Sequence, residues 1–366
     1  MKEKYKFLVA AGGTGGHLFP AIAVVQNLEM LCRSCETKFV GTANRIESRI
    51  IPELGYELTT MPIEGFSKLL SFKTILLPLK IIKSFRICRK LIRSFKPDAV
   101  ICTGAYISYP AGVACSYEKV PLILMESNVN PGKTIKTLAT KASSIMTSFE
   151  DTLNYFEEID KSKVRFIGNP VRENLLSLPN KQEAREKLGL NPELDTVLIF
   201  GGSLGALAIN KASEKAVEYF KDKDIQIIWQ TGNFYKTDIK ENSKLRILPF
   251  IDDMATAYAA ADLVVSRSGA TTVAELSVCG KASVLIPLPS ASNREQWNNA
   301  EVFRKKGAAV ILENAETEYE LYSIIDDLIT DKAKLNSMED NAKGLSKKDA
   351  GKDAAKLILE LIDKKL

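Results

Sequence analysis

"FLVAAGGTGGH", residues 7–17, and "VLIFGGSLGA", residues 197–206, are the same phrase written twice. Each is an apolar run entering a glycine turn, and a helical pattern follows each. An apolar run of this length reads as a buried strand. Around the first phrase, "TKFVGT" (37–42), "PDAVICTG" (97–104), "VPLILMESN" (120–128), "SSIMTSF" (143–149) and "KVRFIGNP" (163–170) alternate with helical stretches. Around the second, "IQIIWQTG" (225–232), "LRILPF" (245–250), "ADLVVSRSG" (261–269), "ASVLIPLP" (282–289) and "AAVILEN" (308–314) do the same. Strand and helix in alternation predict parallel sheets covered by helices on both faces.

The polar, proline-bearing stretch from 169 to about 195 separates the two series. The expected organisation is two similar α/β domains, 1–168 and 169–349. The amphipathic helix at about 350–366 is expected to pack back on one domain, with the N-terminal one the candidate. Ligands of such sheets bind outside the carboxyl ends of the strands. Two such sheets facing each other would put their glycine loops across one cleft.

Composition agrees with a globular chain of two domains. Of 366 residues, 45% are hydrophobic and 26% charged, and mean hydropathy is near zero. No segment offers ~18 uninterrupted apolar residues, so no transmembrane span is expected. Six scattered cysteines, with Cys32 and Cys35 as a lone CxxC, complete no zinc pattern and fit reduced thiols in a cytoplasmic compartment. The net charge of +5 is uneven. Residues 1–97 hold 16 Lys and Arg against 7 Asp and Glu, and the remainder 34 against 38.

A glycine turn that opens a helix suits a phosphate, because backbone N–H groups and the positive helix end both attract an anion. Neither loop meets the GxGxxG dinucleotide pattern, and no Walker lysine is present, which argues against NAD and P-loop chemistry. His17 is the only histidine of the chain. It reads either as a helix-start residue bonded to backbone or as a base beside a substrate loop. In "VVSRSGATTVAELSVCG" (264–280), Glu275 falls in the second turn of a helix. It reads as a solvated glutamate or as a carboxylate accepting both hydroxyls of a ribose.

Five stretches in order carry a resemblance: "AGGTGGHLFPAIAV" (11–24), "GNPVR" (168–172), "FGGSLGA" (200–206), "PFIDDMATAYAAADLVVSRSGATTVAEL" (249–276) and "NREQWNNAEVFRKKGAA" (293–309). Together they resemble the bacterial UDP-GlcNAc transferases that convert lipid I into lipid II in peptidoglycan synthesis. The resemblance implies the GT-B fold, two Rossmann-like domains around a cleft, and an inverting transfer to the C4 hydroxyl of MurNAc. It implies Glu275 on the ribose, the Ile251 backbone on the uracil, Ser203 and Arg172 at the diphosphate or ribose, and Ala270, Glu295 and Gln296 at the sugar. Thr14, Gly15, Gly16 and His17 would lie near the acceptor's diphosphate, with Gly13 and Tyr106 on the same side. Thr14, Gly15, Gly16 and Asn128 are also counted with the donor set. His17 is the first candidate for the base and Glu126 the second. The chain departs from the family pattern at Ala105, Met125, Ser127, Ile135 and Glu295.

No DxD-like pair stands at a strand end, so neither metal nor other cofactor is expected. From Gly65 to Pro97 there are nine Lys or Arg and no acid. Lys83, Arg86, Lys90 and Arg93 step along one helical face. With Phe72, Ile75, Leu76 and Leu79 they read as a surface for anionic lipid, or as the solvated face of a packed helix. No nucleic-acid motif accompanies the charge. The expected location is the cytoplasmic face of the cell membrane, peripherally bound, with cell-wall synthesis or division proteins as further partners. The rival readings are a transferase acting on another lipid such as diacylglycerol, an oxidoreductase, and a non-catalytic nucleotide-sugar-binding scaffold.

Overall fold

The computed structural model describes residues 2–64 and 76–364. The chain divides into two units, residues 1–172 with 348–366, and residues 173–347. The division falls after Arg172, slightly beyond the expected boundary at 168, so "GNPVR" goes whole with the first unit.

Among the described residues, the first unit holds seven strands: β1 Tyr5–Ala10, β2 Cys35–Gly41, β3 Glu57–Thr60, β4 Ala99–Cys102, β5 Leu122–Glu126, β6 Ser144–Thr147 and β7 Val164–Phe166. Their order in the sheet is β3-β2-β1-β4-β5-β6-β7, and every pairing is parallel. The second unit holds β8 Asp195–Phe200, β9 Ile225–Gln230, β10 Leu245–Leu248, β11 Leu263–Ser266, β12 Ala282–Leu285 and β13 Ala309–Ile311. Their order is β10-β9-β8-β11-β12-β13. Counted from its own first strand, the second sheet reads 3-2-1-4-5-6, the doubly wound order, and the first reads the same with a seventh strand added at its edge. The repeated phrase is therefore a repeated fold, and the expected pair of Rossmann-like parallel sheets is what the chain forms. Of the strands of the two sheets only β3 escapes the sequence reading. It has four residues, two of them exposed, and lies at the sheet edge where no apolar run is required.

The strands are apolar because helices cover both faces. Tyr5, Phe7 and Val9 point to one face with the helix Gly15–Leu31, while Leu8 and Ala10 point to the other with Cys88 and Ile92. The helix Gly15–Leu31 is itself buried on several sides, at Leu18, Ala21, Ala23, Val24, Val25 and Leu28. A helix that is apolar nearly all round needs two partners. Here they are the sheet and the terminal helix Ala350–Asp363, whose Ala354, Ala355, Ile358 and Ile362 join the same core. The Tyr5 hydroxyl donates to Asp363 at 2.8 Å, tying the end of the chain to its first strand.

All six cysteines are free. Cys32 caps the end of the first helix and Cys35 opens β2, so the CxxC spacing is a helix–strand junction. Burial pushes the Cys35 thiol up to about 11 and raises Cys32 as well, which keeps both protonated and unreactive.

Candidate active site

Strand order reverses between β1 and β4 in the first sheet and between β8 and β11 in the second. At such a switch point the two following loops run to opposite faces and leave a crevice between them. The loops that carry the sequence motifs are these loops: 11–14 after β1, 103–107 after β4, 201–206 after β8 and 267–269 after β11.

In the first unit His17 lies in the first turn of the helix Gly15–Leu31, and its Nδ1 is 2.7 Å from the Thr103 carbonyl across the switch point. A carbonyl only accepts, so Nδ1 carries the proton and Nε2 carries the lone pair. Burial lowers the imidazole below its ordinary value, and the Thr103 bond opposes this only in part. His17 is therefore neutral at pH 7. Gly104 lies beside it, where a methyl would meet His17 Cε1 and Ile135 at the ordinary contact distances of 3.4 and 3.6 Å; its φ of 87° is what calls for glycine. Ala105 takes a left-handed φ of 52°, which turns Tyr106 toward Gly13.

The glycine loop corrects the sequence reading in one respect. The expectation was bare backbone open to a ligand. The space that side chains would take at Gly12, Gly13 and Gly15 is instead filled by Glu47, Tyr106 and Phe19. The Gly13 N–H is also spoken for, donating to Glu47 Oε2 at 2.8 Å. What this loop offers an anion is the start of the helix at Gly15. Thr14 is exposed beside it and does not cap it with its side chain.

Glu126 is nearly buried, and both oxygens are engaged. Oε1 accepts the Asn128 N–H at 2.8 Å, and Oε2 the Gly132 N–H at 2.8 Å. This carboxylate holds the loop 127–132, a job that suits a positioning group better than a base. Met125 and Ser127 beside it are buried. Arg172 ends the 1–172 segment of the first unit, its guanidinium 5.5 Å from the Phe19 ring centroid.

In the second unit the glycine loop packs backbone on backbone. A methyl at Gly205 would overlap the Thr231 carbonyl, so the loops after β8 and β9 touch directly. Gln230, at the end of β9, binds both motifs: its Nε2 donates to the Gly202 carbonyl at 3.0 Å, and its Oε1 accepts the Ile251 N–H at 2.8 Å. Of the Ile251 backbone, the N–H is thus occupied and the carbonyl is the group left for a base edge. Ser203 is exposed at the loop tip.

The helix Ala270–Cys279 starts at Gly269 without a side-chain cap, with Ala270 buried in its first turn. Glu275 is 6% exposed and accepts the Tyr258 hydroxyl at 3.1 Å. Ser268 knits this loop to the segment that carries the sugar candidates. Its hydroxyl donates to the Gln296 carbonyl at 2.8 Å, and its own carbonyl accepts from Asn299 at 3.3 Å. Gln296 Oε1 in turn accepts the Leu288 N–H at 2.9 Å. Burial raises the Glu295 carboxyl above its usual range. Asn293 and Arg294 precede it in left-handed conformations, φ 50° and 54°.

Gln230, Ser268 and Asn299 were missed by the sequence reading. Their signal was faint: each is a polar residue in or just beyond an apolar strand, or on the inner face of a helix. Among the described residues, no group of three or more His, Cys, Asp and Glu is placed to hold a metal ion.

The basic stretch forms the helix Leu77–Phe95. Its Cys88, Ile92 and Phe95 are buried, and Lys83, Arg86 and Lys90 are exposed on the opposite side. Leu76, Leu79 and Ile82 are exposed at its start, Leu79 by 64%. Arg93 differs from expectation. It shares Glu118 with Arg89, at 3.0 Å and 2.5 Å, and this single carboxylate offsets only part of the charge of the two. Phe72 and Ile75 lie outside the described residues. No helix among those described is long and apolar enough to cross a membrane.

Comparison with known proteins adds the following. Residues 7–147 match the glycosyltransferase family 28 N-terminal domain, and residues 196–356 match the glycosyltransferase family 28 C-terminal domain. The UDP-N-acetylglucosamine--N-acetylmuramyl-(pentapeptide) pyrophosphoryl-undecaprenol N-acetylglucosamine transferase of Flavobacterium psychrophilum is 36% identical over 365 residues, 99% of each chain. The protein of that name from Clostridioides difficile is 37% identical, over 94% of this chain and 86% of its own. The crystal structure of Acinetobacter baumannii MurG superposes with a TM-score of 0.75 at 27% identity, covering 97% of this chain and 99% of the other.

The Tyr258–Glu275 bond makes a prediction about nucleotide binding. Glu275→Ala is expected to weaken UDP affinity by about 1.5–3 kcal/mol, the contribution of a charged acceptor. Titration calorimetry checks it, and unchanged affinity would remove Glu275 from the site.

Proposed function

The chain belongs to the family 28 UDP-N-acetylglucosamine--N-acetylmuramyl-(pentapeptide) pyrophosphoryl-undecaprenol N-acetylglucosamine transferases, and from that premise we infer how its residues divide the reaction. The enzyme moves GlcNAc from UDP-GlcNAc to undecaprenyl-diphospho-MurNAc-pentapeptide, forming the disaccharide lipid precursor of peptidoglycan. The acceptor's C4 hydroxyl attacks C1 of GlcNAc, the C1–oxygen bond to the diphosphate breaks, and UDP leaves with inversion.

The observation that carries the assignment of roles is the His17–Thr103 bond. It sets the proton on Nδ1; burial keeps the imidazole below its ordinary value, so the ring is neutral at pH 7 with its lone pair on Nε2, at the switch point beside the loop assigned to the acceptor. A general base needs that protonation state at working pH. His17 takes the proton from the attacking hydroxyl. Glu126 serves by shaping the loop that carries Asn128.

The second unit takes the donor. Glu275 receives the ribose hydroxyls, one oxygen being steadied by Tyr258, and the Ile251 carbonyl meets the uracil. Ala270 lies in the first turn of an uncapped helix whose N–H groups face the growing charge of the leaving diphosphate. Ser203 and Arg172 are the further groups assigned to that charge, and Glu295 and Gln296 those assigned to the sugar hydroxyls.

A kinetic test separates these roles. Labelled GlcNAc transfer to a short-chain lipid I analogue is expected to fall at least ~100-fold in kcat in His17→Ala, within the usual worth of a general base. UDP affinity should stay near wild type. In the wild type the rate should fall with acid only below about pH 6.5, because a lowered imidazole protonates later than an ordinary one. That limb should vanish in the variant. A raised acceptor KM with kcat intact would make His17 a ligand.

The exposed Leu76, Leu79 and Ile82 beside Lys83, Arg86 and Lys90 support peripheral docking on an anionic membrane, at the cytoplasmic face where the nucleotide sugar is found. Replacing the three basic residues by Gln is expected to release the protein from anionic vesicles at low salt, at ~1 kcal/mol each. Transfer to a soluble acceptor should survive. Undiminished co-sedimentation would leave the helix as a packed surface element.

A further inference from the structure

The Gly12 position is packed against a carboxylate from a distant part of the chain. Glu47 opens the short helix Glu47–Glu53 and is fully buried. Its Oε1 accepts the Thr42 N–H at 2.9 Å and the Thr42 hydroxyl at 2.6 Å, and its Oε2 accepts the Gly13 N–H at 2.8 Å. The parallel register places Ala10 beside Val40, so the segments leaving β1 and β2 run on together and enclose it. Glycine stands on both sides. A methyl at Gly12 would overlap the carboxylate, and one at Gly41 would come within 2.7 Å of Glu47 Cγ.

We propose that Glu47 is a positioning residue for transfer: it holds the Gly12–Gly13 turn in the one shape that sets His17 and Tyr106 for the acceptor. The inference rests on the assignment of this loop to the acceptor. Three donors converge on Glu47, which is what an ionised carboxylate takes and an amide cannot. Gln at this position would turn its NH2 toward either the Gly13 or the Thr42 N–H, leaving one donor without an acceptor. The turn would then lose its anchor. Gly13 has a φ of 81° and packs against Tyr106, and the helix that bears His17 starts two residues later. Glu47 does not touch His17, so its effect passes through the turn.

Three measurements on the full-length enzyme test this. Glu47→Gln should raise the acceptor KM about tenfold or more, the worth of one charge-assisted hydrogen bond. UDP affinity by calorimetry should stay within about twofold, since Glu275 and Ile251, the groups assigned to the nucleoside, belong to the other unit. The Gly13 amide should lose its protection from hydrogen exchange. Gly12→Ala pushes on the same carboxylate without changing its charge and should give the same acceptor-specific loss. Thr42→Val removes only the hydroxyl contact and should change KM less than threefold. Wild-type acceptor KM and kcat in Glu47→Gln would overturn the proposal. Parallel loss of UDP binding and thermal stability would also overturn it, by making Glu47 a residue of the fold alone. Failure of the wild type to transfer GlcNAc would instead refute the assignment on which the proposal rests.

Discussion

The reversal of strand order between β1 and β4 governs the first unit. Two neighbouring parallel strands send their loops to opposite faces, and one bond, from His17 Nδ1 to the Thr103 carbonyl, spans the gap. That bond ties the helix Gly15–Leu31 to the loop after β4 and selects the tautomer of the neutral imidazole. The family could use any residue to stitch two loops. A histidine bonded through Nδ1 stitches them and leaves a proton acceptor behind.

Buried carboxylates recur as the device that shapes loops in this chain. Glu47 gathers Gly13 and Thr42, Glu126 gathers Asn128 and Gly132, and Asp262 gathers the Thr196 N–H with Lys181 and Arg185. Loop N–H groups taken out of water need acceptors, and a carboxylate supplies more acceptor sites than a carbonyl. In the second unit neutral groups do part of this work. Gln230 and Ser268 join the loops after β8, β9 and β11 to their neighbours by donating and accepting at once.

The strand–turn–helix repeats were legible because buried parallel strands must be apolar and their turns must contain glycine. His17 and Glu275 were legible by place, one opening a helix and the other a turn inside one. The partners that give them their states were not. Thr103 and Tyr258 contribute a backbone carbonyl and a hydroxyl, and nothing in a sequence marks which carbonyl an imidazole will find. The sequence marks Glu47 only as part of a helical stretch between strands, since its tie to Gly13 depends on the register of β1 against β2. The glycines misled for a related reason. A glycine signals that space is short at Cβ, and here protein side chains rather than a ligand fill that space. Glu118, which the fold brings to the exposed Arg93, carried no signal in the sequence.

The proposed chemistry needs the one histidine held as a neutral base with its proton on Nδ1. Nitrogen NMR of the 15N-labelled enzyme reads this directly, because a chain with a single histidine gives a single imidazole pair. At pH 7 the spectrum should show a protonated Nδ1 and an unprotonated Nε2, and titration should place the midpoint below the ordinary value of about 6.5. A proton on Nε2 in the neutral ring, or a midpoint at or above that value, would contradict the account.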